Sequence, residues 1–122
     1  MTQLGYDVPP DEIARRLERR GPLREVFVAE RAGTTLGWAA VRIDEGFVNG
    51  RQAWIEGFVV GEDARGAGIG SVLLDRAESW ARERACDAMR VQSNVLRERA
   101  HGFYERHGYR KLKAQFAFRK VL

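Results

Sequence analysis

The stretch Phe58-Val59-Val60, followed by Arg65-Gly66-Ala67-Gly68-Ile69-Gly70-Ser71, decides how this chain is read. An apolar run of strand type delivers the backbone into a glycine-rich turn, and the turn opens a helix predicted over 68–85. The first turn of a helix presents N–H groups without intrahelical partners and about half a positive charge, so it attracts anions, phosphates above all. Glycines let the backbone approach those oxygens and adopt dihedrals barred to other residues. The arrangement is a phosphate cradle. Two familiar cradles do not fit it. A P-loop needs a Lys before the Ser or Thr that follows its last glycine, and Ile69-Gly70-Ser71 has none. The dinucleotide pattern G-x-G-x-x-G is missed because Gly66, Gly68 and Gly70 are evenly spaced.

Periodicity organises the rest of the chain. Pro9-Pro10-Asp11 starts a helix with Ile13, Ala14 and Leu17 on its apolar face, and Gly21-Pro22 breaks it. Strands are expected over 26–30 and 36–41 around the turn Ala32-Gly33-Thr34, and a looser turn from Gly46 to Gly50 leads into a strand over 53–60. In the helix after the cradle, Ile69, Val72, Leu73, Ala77, Trp80 and Ala81 are expected to form one buried stripe. Residues 89–94 read as a short strand ending at Asn94, residues 98–107 as a short helix stopped by Gly108, and 111–121 as a final strand alternating around Phe116 and Phe118.

At 122 residues and 44% hydrophobic content the chain is expected to be one domain, 1–122, with an adequate core. Its net charge of +4 comes from 21 basic and 17 acidic residues that are interspersed, with no basic stripe interleaved with aromatics, so no nucleic-acid partner is expected. No apolar run approaches the roughly 20 residues of a membrane span, and no signal peptide is visible, so the expectation is a cytoplasmic protein without a membrane partner. The single Cys86 excludes an intrachain disulfide, and no His/Cys spacing suggests a metal.

The spacing Arg65-x-x-Gly68-x-Gly70 resembles the acetyl-coenzyme A signature of the GNAT superfamily of N-acetyltransferases. Downstream, Ala100-x-x-Phe103-Tyr104-Glu105-x-x-Gly108-Tyr109 resembles the A-x-x-F-Y-x-x-x-G-F/Y segment that follows the coenzyme site in the same family. The resemblance covers residues 23–122 and extends more weakly back to Leu4. It implies an α/β (α+β) fold with a central, mostly antiparallel twisted sheet flanked by helices. Gln3-Leu4-Gly5-Tyr6 resembles the tail of the family's first helix, so the first strand and most of the first helix are expected to be missing. An exposed strand edge invites pairing, and a homodimer covering that edge is one expectation.

The resemblance also assigns roles. Backbone N–H groups of Gly66, Ala67, Gly68, Ile69, Gly70 and Ser71 would grip the coenzyme pyrophosphate, supplemented by Arg65 and the Ser71 hydroxyl. Family members often carry a basic or bulky residue where Ala67 stands, so one side-chain contact is expected to be absent. Phe58, Val59 and Val60 resemble the strand that pairs with the pantetheine arm, and Asn94 either contacts the coenzyme or caps the following helix. Tyr104 is the candidate donor to the departing thiolate, its alternative being a packing aromatic beside Phe103. Glu56, two and four residues before Phe58 and Val60, is expected on their face, either as the base for the amine or as a binding group for a cationic substrate. His107 beside a helix C-terminus reads as structural, and Cys86 as inert. The implied activity is transfer of acetyl from acetyl-coenzyme A to a primary amine, on a small molecule or a protein, by direct attack in a ternary complex. The alternatives are transfer of another acyl group, or coenzyme binding without turnover.

Overall fold

A computed structural model describes residues 21–62, 68–92 and 98–122. The expected leading helix and the segment around Gln3-Leu4 lie outside these residues. The chain divides into two compact units, one ending at Val91 and the other beginning at Gln92.

The first unit is a four-stranded sheet with one helix. Its elements are β1 (Arg24–Arg31), β2 (Thr34–Gly46), β3 (Gly50–Val60), α1 (Ile69–Glu83) and β4 (Met89–Val91). The strands lie in the order β1-β2-β3-β4, with antiparallel pairing at the first two interfaces and parallel pairing between β3 and β4. A two-residue connection, Ala32 (φ 50°) and Gly33 (φ 79°), closes the β1–β2 hairpin. Two positive φ values in succession match the right-handed twist of the strands they join.

Alternation on β2 buries Ala39, Val41 and Ile43 on one face, where they meet Ala53, Ile55 and Phe58 of β3. α1 packs against β2, β1 and β3, and buries Leu73, Leu74, Ala77, Trp80 and Ala81. The buried stripe therefore differs from the expected one. Val72 is 62% exposed and Leu74 is fully buried. At 100° per residue Val72 lies roughly 140° around the helix from Ala77, the centre of the stripe, whereas Leu74 lies about 60° from it. Gly37 on β2 sits where β3 and α1 converge: a Cβ there would come within 2.6 Å of the Val59 carbonyl oxygen and 3.3 Å of a Leu73 methyl. Only glycine fits that approach.

The second unit contains α2 (Glu98–Arg106). Gly108 (φ 90°) ends it, and the Tyr109 N–H returns to the Tyr104 carbonyl at 3.0 Å. This six-to-one bond with a left-handed glycine is the usual way a helix satisfies its last carbonyls. The expected final strand over 111–121 does not form: residues 110–122 are exposed, carry no strand, and leave Phe116 and Phe118 more than nine-tenths exposed. Alternation gives a segment two faces, but a strand also needs a ladder partner, and none pairs with it among the described residues.

The corrected stripe separates two substitutions on one helix. Leu74→Ala should destabilise the chain by about 2–5 kcal/mol, and Val72→Ala by less than about 0.5 kcal/mol, both read from urea unfolding midpoints. Equal losses would mean that α1 is rotated from the face described.

Candidate functional site

The junction between the end of β3 and the start of α1 carries the cradle residues. Pairing with β2 continues through Ala39↔Phe58, Trp38↔Val59 and Gly37↔Val60, and the Gly61 N–H extends it by donating to the Leu36 carbonyl at 2.7 Å. On the other side of β3 the ladder with β4 covers Ala53, Trp54 and Ile55 among the described residues. Phe58, Val59 and Val60 lie beyond the last of these pairs.

Arg65, Gly66, Ala67 and Asn94 lie outside the described residues. Gly68, Ile69, Gly70 and Ser71 form the N-terminal end of α1. Gly68 is its N-cap, with φ 78° and ψ 7°, a left-handed conformation in which a side chain would be strained. It contributes no capping side chain, and the Val72 N–H makes the first intrahelical bond, to the Gly68 carbonyl at 3.1 Å. Among the described residues, a Cβ built at Gly68 would meet nothing within 4 Å, and the first turn carries no acidic residue. The unpaired N–H groups of such a first turn fit a bound phosphate.

Glu56 departs from the expectation. Ala40 pairs with Gly57 while Val41 pairs with Ile55, so Glu56 is an extra residue in β3, a β-bulge. The bulge resets the alternation after Ile55, so that Ile55 and Phe58 share the face covered by α1 while Glu56 lies on the other. There its Oε1 lies 3.0 Å from Arg24 Nη1 and 3.6 Å from Arg42 Nη1, and its Oε2 lies 3.3 Å from Arg24 Nη1. Glu56 consequently does not share the face of Phe58 and Val60. Arg24 and Arg42 were not singled out from the sequence, because only the pairing register Arg24↔Arg42 brings them beside the bulge.

Tyr104 lies on α2 in the second unit. Its ring is half-buried, edge-on to Phe103 at 5.4 Å between centroids and 5.7 Å from Tyr109. The His107 ring stacks on Phe103 at 4.5 Å, and its Nδ1 donates to the Phe103 carbonyl at 2.8 Å. His107 thus fastens the C-terminal turn of α2. Cys86 is a half-buried free thiol whose backbone N–H closes the end of α1 on the Ala81 carbonyl.

The model of the acetyltransferase (GNAT) family matches residues 3–109. The chain belongs to the GNAT family. It is 31% identical over 122 residues to the aminoglycoside N(6')-acetyltransferase type 1 of Stenotrophomonas maltophilia, covering 95% of this chain and 78% of that protein. It is 31% identical over 105 residues to the glucosamine 6-phosphate N-acetyltransferase of Trypanosoma brucei brucei, covering 84% of this chain and 69% of that protein. The solved complex of AAC(6')-Iy with the bisubstrate analogue CoA-S-monomethyl-acetylneamine superposes with a TM-score of 0.87, over 99% of this chain and 86% of that one, at 20% identity. The GNAT fold expected from the two motifs is the fold of this chain. Among the described residues, no helix is long and apolar enough to cross a membrane.

The ion pairs at the bulge join partly exposed groups, with side-chain exposures of 30% for Glu56 and 57% for Arg24. Pairs of this kind contribute about 0–1 kcal/mol. Glu56→Gln should therefore lower stability by less than about 1 kcal/mol in urea unfolding. A loss of several kcal/mol would show that the bulge itself depends on the carboxylate.

Proposed function

We propose that this GNAT chain transfers the acetyl group of acetyl-coenzyme A to a primary amine of a polar small molecule. The observation that carries this reading is the glycine-capped start of α1, which follows β3 in the chain and whose left-handed Gly68 opens a first turn without acidic residues. The coenzyme-derived ligand of AAC(6')-Iy, a protein of the same fold, supports it. So do the two relatives described above, whose names both specify acetylation of an amine.

When bound, acetyl-coenzyme A supplies an acetyl group already activated as a thioester. The backbone N–H groups of residues 66–71 hold the pyrophosphate, with Arg65 and the Ser71 hydroxyl as supplements and Asn94 as a further contact. The main chain of Phe58, Val59 and Val60 pairs with the pantetheine arm and directs one N–H at the thioester carbonyl. This fixed alignment supplies most of the rate, because it replaces an encounter between free reactants.

Two proton movements remain. An alkyl amine of pKa ~10.4 is deprotonated to about one part in a thousand near neutral pH, so a proton must be taken from it. Glu56 is assigned this role. Arg24 and Arg42 already compensate its charge, which makes it a weak anchor for a cation, whereas Oε2 has a single guanidinium contact, at 3.3 Å, and can accept a proton directly or through water. Tyr104 donates a hydrogen bond to the departing thiolate. Full proton transfer from a phenol of pKa ~10 to a thiolate of pKa ~8.5 is uphill by about 2 kcal/mol, so its part is stabilisation of developing charge.

Two variants test the assignment. Gly68→Asp places a strained side chain and a negative charge at the N-cap, and should abolish the rise in melting midpoint that acetyl-coenzyme A gives the wild type. A ligand at a hundredfold its dissociation constant adds ~2.7 kcal/mol, so the rise is easily measured. Retained stabilisation would remove the cradle from the site. Tyr104→Phe should lower turnover about 10- to 100-fold while leaving coenzyme affinity unchanged, read by release of free thiol. Wild-type turnover would remove Tyr104 from the reaction.

A further inference from the structure

The face of the sheet turned away from α1 carries a row that the acetyltransferase reading does not use. The register places Arg24 opposite Arg42, Arg42 opposite Trp54, and Trp54 beside Arg90, so one residue from each of β1, β2, β3 and β4 lines up across the sheet. Residues paired in register share a face. The row is therefore arginine, arginine, tryptophan, arginine.

Its charges are not balanced. The Arg42 guanidinium carbon lies over the Trp54 ring, 5.2 Å from its centroid, and that of Arg90 lies over the same ring at 4.7 Å. A guanidinium stacked on an indole uses its flat face and keeps its in-plane N–H donors for an acceptor. Glu56 takes up Arg24 and Arg42. Arg90 reaches only the neutral Gln52 Oε1, at 3.3 Å, and meets no carboxylate among the described residues. Asp44, opposite Gln52 in the next row, pairs with none of the three. Two cations held on one ring repel each other, and an anion between them relieves that repulsion.

We propose that the row Arg24, Arg42, Trp54 and Arg90 binds an anionic group carried by the acceptor, so that this chain prefers amines bearing a phosphate, phosphonate or carboxylate over neutral or polycationic amines. The proposal rests on the acetyltransferase reading for its reaction and on the sheet geometry for its ligand. The row lies beside Glu56, the proton acceptor assigned above, so an anion held on the guanidinium donors would leave the amine of the same molecule close to that carboxylate. A polycation would instead meet uncompensated arginine.

The test compares matched amines: glucosamine 6-phosphate against glucosamine, 2-aminoethylphosphonate against ethanolamine, and neamine as the polycation. In the wild type the anionic member of each pair should have a kcat/KM at least about tenfold higher, most of it in KM, since charge-assisted hydrogen bonds act in the bound state. Arg90→Gln should bring that ratio to within about threefold of one, Arg90→Lys should give an intermediate value, and Arg82→Gln, an equal loss of charge on exposed α1, should keep the wild-type ratio. Equal kcat/KM within the pairs, a preference for neamine, or a ratio unmoved by Arg90→Gln would overturn the proposal. Should no amine release thiol, melting midpoints decide. Stabilisation by 2-aminoethylphosphonate that is lost in Arg90→Gln would uphold the row and discard the acetyltransferase reading alone. No stabilisation would discard the row as well.

Discussion

The extra residue that β3 inserts opposite the Ala40–Val41 step of β2 governs what each face of the sheet presents. Without it, strict alternation from Ile55 would leave Glu56 on the outer face but turn Gly57 into the core and send Phe58 outward. With it, Ile55 and Phe58 both enter the core under α1, while Glu56 lies on the opposite face beside two arginines. A bulge also strengthens local twist and bends the strand that carries it. It falls just beyond Ile55↔Val91, the last β3–β4 pair among the described residues.

The core beneath that strand fixes where the cradle begins. Leu73, Leu74 and Ala77 of α1 are buried against the sheet within the first three turns after the glycine cap, and Gly37 removes the side chain that would hold α1 and β3 apart. Gly68 takes the left-handed conformation that starts the helix, and among the described residues a Cβ there would meet nothing within 4 Å. Packing supplies the position, and the exposed first turn supplies the electrostatics.

Local chemistry made much of this legible in the sequence. The turn residues Ala32-Gly33-Thr34 marked the first hairpin, the glycine run marked the strand-to-helix turn, and Gly108 marked the end of α2. Joined to the Phe103-Tyr104 block, these led to the GNAT fold. What was missed is non-local. A bulge shows only when two strands are aligned, so Glu56 was placed on the face of Phe58 by simple alternation. Arg24, Arg42 and Arg90 are distant in sequence and become neighbours only through three pairing registers. The exchange of Val72 for Leu74 was a phase error of a kind that periodicity alone can correct. The tail failed for the opposite reason, since Phe116 and Phe118 alternate correctly but no strand pairs with them among the described residues.

On the two proposals made above, the first unit would attract anions in two physically different ways. At the start of α1 the attraction comes from peptide N–H groups and the helix dipole, which no side-chain substitution outside the turn removes. On the far face it comes from guanidinium groups stacked on Trp54, which a single substitution weakens. The difference matters for a two-substrate reaction. A coenzyme and an acceptor that both carry negative charge would compete for one diffuse basic surface, and a net charge of +4 spread evenly would not sort them. Separating a main-chain site from a side-chain site sorts them by geometry. Repulsion between the two bound anions is limited by distance and by screening over the roughly 8 Å Debye length of physiological salt. The bulge returns Phe58 to the core while Glu56 stays on the arginine face, so the proposed proton acceptor would lie beside the place where an anionic acceptor would dock.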